Sequence, residues 1–268
     1  MASRKIRGSR PCMLALCLAI LAGGVFSNCL PAEPSKQSVE LIISAAISLT
    51  ESLQAIRNLY RAQVPDVSIV LNLGASGILQ QQVEQGAPAD IYISASPEEM
   101  NSLETEGLLL NQTRRNLLEN TLVLICPAAS KKVSGFQDLM HADVQRIAMA
   151  SPESVPAGVY AEQTLKYLKI YQQVRPKIIL AQDVRQALAY VETDNADAGL
   201  VYATEAKLTN KVRVVARAPR NSHAPIVYPV AVLKRCPHVK AAERFVDFLA
   251  SPAAQRIFAK EGFARAGQ

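Results

Sequence analysis

The amino-acid sequence predicts an α/β fold with mainly parallel sheets. Short apolar runs alternate along the chain with longer segments of helical periodicity, as is typical of parallel strands joined by helical crossovers. The apolar runs are almost continuous, which fits strands that are covered on both faces. The alternation occurs once before and once after the run "NTLVLICP". A chain of 268 residues is long enough for two such halves.

In the first half, each strand is followed by a helix. The predicted strands are "VELIISAA", "VSIVLNL" and "ADIYISA". The predicted helices are "SLTESLQAIRNLYRAQV", which places Leu53, Ile56, Leu59 and Tyr60 on one face, "ILQQQVEQG", which Gly86 ends, and "PEEMNSLETEGLL", which Pro97 begins.

The second half repeats the pattern after the strand "NTLVLICP". The remaining predicted strands are "RIAMA", "KIILAQ", "AGLVYA", "VRVVAR" and "IVYPVAVLK". The predicted helices are "GFQDLM", "VYAEQTLKYLKIYQQV", "DVRQALAYVETD" and a final pair that breaks at Ser251-Pro252. If the final pair packs on the first half, the chain must return there, and "IVYPVAVLK" is the candidate return strand. We therefore predict lobe I from residues 38–120 and 227–268, and lobe II from residues 121–226.

The first 28 residues have the pattern of a secretory signal peptide. A basic head, "MASRKIRGSR", precedes the apolar run "CMLALCLAILAGGVF", which is too short to span a membrane. Val25 and Ser27 suit cleavage before Asn28. Cys29 leaves a lipid anchor open, although the residues before it match the usual small-residue box poorly. We expect a periplasmic or extracytoplasmic protein that lacks about the first 27 residues after signal cleavage.

The charge distribution does not indicate a nucleic-acid partner. The formal net charge is +6, but residues 1–28 hold four basic residues and no acidic ones, so 25 of the 29 basic residues remain against 23 acidic ones. This balanced remainder has no basic stripe with interleaved aromatic residues.

The cysteines and histidines do not indicate a metal site. Cys126 and Cys236 have no CxxC or paired spacing, and we expect no disulfide between them. His141, His223 and His238 are scattered, so no site for a bare metal cation is expected.

The run Gly74-Ala75-Ser76-Gly77 lies between a predicted strand and a predicted helix. A nucleophile elbow would need glycine where Ile78 stands, and no nearby histidine offers a base. A P-loop would need a Lys-Ser or Lys-Thr pair after the second glycine, and a dinucleotide fingerprint also fails. A secreted serine hydrolase that uses Ser76 stays open as the weaker alternative.

An anion site fits this run better than either motif. The start of a helix offers free N–H groups and a positive dipole end, so it binds anions without a basic side chain. The Ser76 hydroxyl adds a further donor. For a single serine, an ordinary helix cap is the simpler interpretation.

The same arrangement recurs at three other predicted helix starts. Ser48 follows the first strand, Ala157 lies in "ESVPAGVYAEQTL", and Val184 lies in "AQDVRQALAYV". Each of these residues can offer a backbone N–H group. In open α/β sheets, ligands bind outside the carboxyl ends of the strands. Four such loops, two from each half, could surround one small anion.

Five motifs resemble those of the periplasmic molybdate-binding proteins of molybdate ABC importers. They are "AAISLTESL", "GASGILQQQVEQGAPADIYISAS", "VPAGVYAEQTL", "DVRQAL" and "GLVYATEA", and the resemblance runs from about Val39 to Phe263. It implies a two-lobed, class II periplasmic binding protein fold, each lobe a mainly parallel sheet flanked by helices, with the ligand in the cleft between the lobes. The sequence departs from the pattern at Gly77, where relatives often carry a second small polar residue.

The resemblance also implies the ligand-binding residues. Ser48 and Ser76 would donate from lobe I through hydroxyl and backbone N–H groups. On lobe II, Ala157 and Val184 would donate through backbone N–H groups, and Tyr202 would donate through its phenol. Without the resemblance, Tyr202 would be read as a core residue.

The implied function is capture of molybdate, and of tungstate with it, for delivery to a membrane permease. Molybdenum would bind as its oxyanion, to a monomer that needs no cofactor and has no catalytic residues. Sulfate or another oxyanion stays open as the ligand. A site built only of donors favours a fully deprotonated anion, because hydrogen phosphate would also need an acceptor. Asp183 would repel an anion, so we expect it to cap its own helix and point away.

Overall fold

The structure is a computed structural model that describes residues 38–267, so the predicted signal segment at residues 1–28 and Cys29 lie outside it. The strands are β1 (Val39–Ala46), β2 (Val67–Gly74), β3 (Ile91–Ile93), β4 (Arg115–Glu119), β5 (Leu122–Pro127), β6 (Ile147–Ala150), β7 (Ile178–Ala181), β8 (Ala198–Tyr202), β9 (Val212–Arg217), β10 (Val227–Val232) and β11 (Ala264–Arg265). The α-helices are α1 (Thr50–Gln63), α2 (Ser76–Glu84), α3 (Pro97–Thr105), α4 (Pro156–Tyr167), α5 (Tyr171–Val174), α6 (Val184–Glu192), α7 (Ala203–Ala206), α8 (Val239–Leu249) and α9 (Pro252–Glu261). Short 3-10 helices lie at Ile47–Leu49, Asn111–Thr113, Phe136–Met140 and Arg175–Lys177.

The strands form two sheets. The first has the order β11-β4-β10-β3-β1-β2, and the second has the order β7-β6-β8-β5-β9. The chain therefore passes from the first sheet to the second between Glu119 and Leu122. It returns between Arg217 and Val227. Lobe I below denotes the first sheet with its helices, and lobe II denotes the second.

Each sheet has three parallel strands, extended by antiparallel ones. β1 pairs in parallel with β2 and β3, and β6 pairs in parallel with β7 and β8. The antiparallel pairs involve the strands next to the crossing points: β10 pairs with β3 and β4, and β5 pairs with β8 and β9. β4 leads out of the first sheet and β10 leads back into it, so these two strands run in opposite directions. The same holds for β5, which enters the second sheet, and β9, which leaves it. The two-lobed α/β fold is confirmed, and the parallel part of each sheet is limited to three strands.

The strand register brings helix starts to the same edge of each sheet. In lobe I, the last residues of β1 and β2, Ala46 and Gly74, lie opposite each other. In lobe II, the last residues of β6 and β7, Ala150 and Ala181, do the same. Each of these four strands is followed within a few residues by the start of a helix. Four helix starts therefore lie at the carboxyl edges of the two sheets, where ligands bind in this fold class.

The structure differs from the sequence-based elements at several places. The helix predicted over "VYAEQTLKYLKIYQQV" ends at Tyr167 and resumes as α5, because Lys169 adopts a left-handed conformation with φ of 60°. Two short strands, β4 and β11, and the one-turn helix α7 were not predicted. β11 and α7 have only two and four residues, too few for a hydrophobic period, and β4, "RNLLE", contains only two apolar residues.

The core of lobe I follows the predicted helical face at three of its four apolar residues, since Leu59 is only half-buried. Leu53, Ile56 and Tyr60 of α1 are buried, and the Tyr60 ring centroid lies 5.0 Å from those of Phe245 and Phe248 in α8. Among residues 38–267, no helix has both the length and the apolar character that crossing a membrane requires.

The two cysteines in the described range form no disulfide, as predicted from the sequence, and both are buried. Cys126 lies in β5, and Cys236 follows β10. Burial raises the pKa of both thiols.

Candidate anion-binding site

Four helix starts present buried backbone N–H groups without acceptors. Ser48, Ser76, Ala157 and Val184 are exposed by only 5, 1, 1 and 2%. Within residues 38–267, their backbone N–H groups donate to no protein acceptor. Helix starts leave such groups free for geometrical reasons, but buried and unpaired N–H groups are rare in native proteins. Four of them in one fold indicate a site for an electron-rich ligand.

The Ser76 hydroxyl is held as a donor. Its Oγ accepts a hydrogen bond from the backbone N–H of Ala95 at 3.0 Å, so its own hydrogen is left for another partner. Tyr92 donates its phenol to the Ser76 carbonyl at 2.8 Å, which fixes the backbone at this point. The helix-cap interpretation is wrong for Ser76. It is the first residue of α2, the cap position belongs to Ala75, and no side chain caps that helix.

The Ser48 hydroxyl contacts a tyrosine that the sequence did not single out. Ser48 Oγ lies 2.9 Å from the phenol oxygen of Tyr228 in β10, and both residues are buried. Tyr228 Oη in turn accepts from the side-chain amide of Asn120, at 3.3 Å. Asn120 stands at the crossing between β4 and β5. The sequence offered only one signal for Asn120, namely that it is a polar residue at the predicted crossing point between the lobes.

Tyr202 contributes a buried phenol without a partner. It ends β8, is 1% exposed, and among the described residues its Oη makes no hydrogen bond. Burial raises the pKa of Tyr202 well above its usual value, so the phenol keeps its proton and can donate. The Tyr202 ring lies against that of Tyr228, with centroids 6.1 Å apart. Within the described range, Ser52 and Tyr60 also have unpaired buried hydroxyls, so what distinguishes Tyr202 is its place beside Tyr228, which contacts Ser48.

Contacts between the lobes bring the helix starts of lobe I close to those of lobe II. The backbone N–H of Gly77 in α2 donates to the carbonyl of Ser154, two residues before α4, at 3.0 Å. The phenol of Tyr160 in α4 donates to the carbonyl of Ala95 at 3.4 Å. At the other end of the cleft, α6 packs against the 3-10 helix that holds Ser48. These contacts hold the segments that carry Ser48 and Ser76 in lobe I against α4 and α6 of lobe II, which begin next to Ala157 and at Val184.

Gly77 occupies a position with no room for a side chain. It is also the residue at which the sequence departs from the family pattern. A Cβ atom there would lie 2.7 Å from the Ser154 carbonyl oxygen and 3.1 Å from the Ser154 Cα atom. A small polar residue could not replace Gly77 without separating these two segments. The backbone N–H of Gly77 is used for the contact between the lobes.

The charged side chains at the start of α6 either cap the helix or take part in an ion pair. Asp183 caps α6 by accepting from the backbone N–H of Gln186 at 2.8 Å, as the sequence analysis expects. Arg185, in the first turn of α6, forms a two-pronged ion pair with Glu51 of α1 across the lobes. Its Nε also lies 2.8 Å from Glu205 Oε2, although the two are not aligned as a hydrogen bond.

Glu205 is the most deeply buried of these charged groups. It is fully buried in α7, and burial raises its pKa to about 7, against the opposing effect of Arg185. No basic side chain belongs to the donor set itself. The site therefore offers neutral N–H and O–H donors, which suit a small anion without protons.

Within residues 38–267, no group of three or more His, Cys, Asp or Glu side chains is placed to hold a metal cation. The only recorded hydrogen-bond partner of the Ser76 hydroxyl in this range is the Ala95 N–H, so no carboxylate or imidazole is positioned there as a base.

Comparison with known proteins gives consistent matches over nearly the whole described chain. The sequence profile of a family described as "Bacterial extracellular solute-binding protein" matches residues 41–264. A candidate ABC transporter substrate-binding lipoprotein of Bacillus subtilis, YvgL, is 39% identical over 93% of this chain and 95% of its own. The molybdate-binding protein ModA of Haemophilus influenzae is 37% identical over 84% of this chain and 90% of its own. The solved substrate-binding domain of a candidate molybdenum ABC transporter from Clostridium difficile is 43% identical. It covers 85% of this chain and 100% of its own, with a TM-score of 0.69.

Proposed function

The chain belongs to the family of bacterial extracellular solute-binding proteins, and we propose that it captures molybdate and delivers it to the permease of an ABC importer. The observation that carries the proposal is the set of five buried donor groups without protein acceptors, at Ser48, Ser76, Ala157, Val184 and Tyr202. Proteins similar to this chain over most of its length are named for molybdate or molybdenum.

The chemistry of the donor set supports an oxyanion without protons. The four backbone N–H groups can only donate, and the Ser76 and Tyr202 hydroxyls have hydrogens free for a partner. A tetrahedral oxyanion offers four oxygens that can accept from donors arriving from both lobes. Tungstate has the same charge and shape and is proposed as a second ligand. Sulfate is the alternative within the same class, and the size of the anion distinguishes the two.

A binding role accounts for Ser76 better than catalysis. A nucleophilic serine gives its proton to a base, and among residues 38–267 the Ser76 hydroxyl has only the Ala95 N–H, a donor, as its hydrogen-bond partner. We therefore propose that the protein is not an enzyme.

The proposal includes the location of the protein and its architecture. Residues 1–28 would act as a signal peptide, and Cys29 would be the attachment point if the mature protein carries a lipid, as the lipoprotein relative suggests. Lobe I would consist of residues 38–120 and 227–268, and lobe II of residues 121–226. The sheet order supports this division. The protein would act as a monomer, without a cofactor or a nucleic-acid partner.

Native mass spectrometry tests the proposed ligand directly. The purified protein is incubated with equal concentrations of molybdate, tungstate, sulfate and phosphate and then desalted. We expect a mass increase that corresponds to one molybdate or tungstate ion for each chain. The variant with Ser76→Ala and Tyr202→Phe, which removes one hydroxyl from each lobe, should lose this increase. Retention of sulfate alone would contradict the molybdate assignment, and retention of no anion would contradict the binding role.

A further inference from the structure

We propose that Asn120 and Tyr228 are positioning residues that fix the direction of the Ser48 hydroxyl, so that Ser48 donates to the bound anion. The three side chains form a hydrogen-bonded chain that ends at the anion site. The inference rests on the proposed function, and it names the part of the site that rejects anions carrying a proton.

The orientation of the Asn120 amide is set by a backbone group. Its Oδ1 accepts from the backbone N–H of Thr121 at 2.8 Å, and a backbone N–H can only donate. The amide nitrogen must therefore face the other way. There it lies 3.1 Å from Thr204 Oγ1 and 3.3 Å from Tyr228 Oη. An amide NH₂ has two hydrogens, and these two contacts use both of them.

The amide of Asn120 in turn sets the direction of the Tyr228 phenol. Tyr228 is fully buried in β10, and its Oη accepts from Asn120. Burial raises the pKa of Tyr228, so the phenol retains its single hydrogen. The distance of 2.9 Å to Ser48 Oγ would allow either oxygen to donate. Because Asn120 supplies a hydrogen to Tyr228, the phenol hydrogen goes to Ser48, its other partner among the described residues.

Ser48 is therefore left with its own hydrogen free. Its Oγ accepts from Tyr228, as the Ser76 Oγ accepts from Ala95, and both serines present hydrogens to the ligand. A fully deprotonated oxyanion accepts these hydrogens. Hydrogen phosphate carries one P–OH group, which would face an N–H or O–H donor of the site. Two donors cannot bond to each other, so both would be buried with one hydrogen bond lost.

The position of Asn120 links this chain to the junction of the two lobes. Asn120 lies between β4 of lobe I and β5 of lobe II, and its amide contacts Thr204 of lobe II as well as Tyr228 of lobe I. The amide is therefore held by both lobes in the arrangement that buries the site. Loss of the Asn120 amide should change the anion selectivity of the site more than the folding stability of the protein.

A double-mutant cycle tests whether Tyr228 acts through Ser48. Titration calorimetry is applied to the wild type, Ser48→Ala, Tyr228→Phe and the double variant. The ligand is the anion that the wild type binds most tightly among molybdate, tungstate, sulfate and phosphate. Tyr228→Phe should weaken binding roughly three- to tenfold, which corresponds to one ordinary hydrogen bond. In the Ser48→Ala background, the same change should have less than about a twofold effect. An equal loss in both backgrounds would overturn the proposal.

A selectivity measurement gives a readout that a purely structural role would not move. Without the Tyr228 phenol, the Ser48 hydroxyl can turn and accept a ligand proton. The preference for molybdate over phosphate is measured by competition, as the phosphate concentration that displaces half of the bound molybdate, and no displacement by the wild type gives a lower limit. At a pH where phosphate is mainly hydrogen phosphate, Tyr228→Phe should lower this preference by about tenfold or more, so that phosphate displaces molybdate from the variant at concentrations that leave the wild type loaded. Asn120→Leu should change the preference in the same direction, because the phenol is then free to accept from Ser48. An unchanged preference in both variants would overturn the proposal.

Tyr60→Phe is the matched control for these measurements. Tyr60 is also buried in lobe I, and its phenol has no hydrogen-bond partner among the described residues. Its removal should leave both affinity and selectivity unchanged. If the wild type prefers sulfate, the molybdate assignment fails, while the cycle with sulfate still tests the positioning role. If the wild type binds none of the four anions, the binding function and the positioning role are both refuted.

Discussion

Gly77 of lobe I donates its backbone N–H to the carbonyl of Ser154 in lobe II at a distance of 3.0 Å. The two residues lie at the starts of the segments that carry Ser76 and Ala157, so this bond connects two of the proposed donor groups across the cleft. Because a Cβ atom on residue 77 would lie 2.7 Å from the same carbonyl oxygen, the contact requires glycine.

Gly77→Ala should weaken ligand binding without destabilising the separate lobes. The new methyl group cannot fit beside the Ser154 backbone, so the lobes must stay apart or shift. We expect at least about a tenfold loss of molybdate affinity, equivalent to roughly 1.4 kcal/mol, by titration calorimetry. Gly135→Ala is the control, because no atom lies within 4 Å of its added Cβ. Unchanged affinity in Gly77→Ala would mean that this contact is not part of the ligand-bound arrangement.

Both lobes should be needed for binding. Ser48→Ala, Ser76→Ala and Tyr202→Phe each remove one donor to a charged ligand, and each should cost on the order of 1.5–3 kcal/mol of binding free energy. Calorimetry on the three variants, with Tyr60→Phe as the control, measures these losses. If Tyr202→Phe binds like the wild type while the serine variants do not, Tyr202 is a core residue and the contribution of lobe II is unsupported.

Molybdate and tungstate should bind with similar strength, because they share charge, shape and nearly the same size. Sulfate has shorter bonds, and donors on packed helix starts cannot move inward freely to meet it. Each donor left without a partner costs roughly 1–3 kcal/mol, so sulfate should bind at least about tenfold more weakly. Phosphate, which carries a proton, should not bind measurably. Thermal-shift titrations at constant ionic strength test this order, and greatest stabilisation by sulfate or phosphate would refute it.

Burial of Glu205 should make folding stability depend on pH. Burial, the largest cause, raises the pKa of Glu205 from 4.5 to about 7, against the opposing effect of Arg185. The folded state thus holds a proton that the unfolded state releases between these values. This stabilising contribution is fully present below pH 4.5 and is lost as the pH rises through about 7. Its size is on the order of 3 kcal/mol.

Urea unfolding at pH 5 and pH 8 measures this effect. Glu205→Gln keeps the neutral form at both values, so the variant should gain stability relative to the wild type as the pH rises. Glu106→Gln, at an exposed position, is the control for the loss of a carboxylate. If the difference between wild type and Glu205→Gln is the same at both pH values, Glu205 does not titrate in this range.

Local sequence patterns were sufficient to predict most of the fold. The alternation of apolar runs with helical periods predicted the α/β class and most of the longer elements, because helices and buried strands are marked by short-range spacing. The pattern failed where the local conformation changed within a run. The break at Lys169 is an example, since a single left-handed residue leaves no mark on the hydrophobic period.

By itself, the sequence determined which groups are able to donate. A helix start after a strand leaves N–H groups free wherever it lies in the fold, so Ser48, Ser76, Ala157 and Val184 could be singled out from local pattern and family resemblance. Only the tertiary structure decided that these groups are buried without acceptors.

The tertiary structure also decided the partners of the hydroxyl groups. Ser48 meets Tyr228 across 180 residues, and Tyr228 meets Asn120 across 108. These contacts follow from the order of the strands in the first sheet and from the crossing between the two sheets, which no local spacing specifies. The direction of a hydroxyl depends on what surrounds it in space, and therefore the choice between donor and acceptor at Ser48 belongs to the folded chain alone.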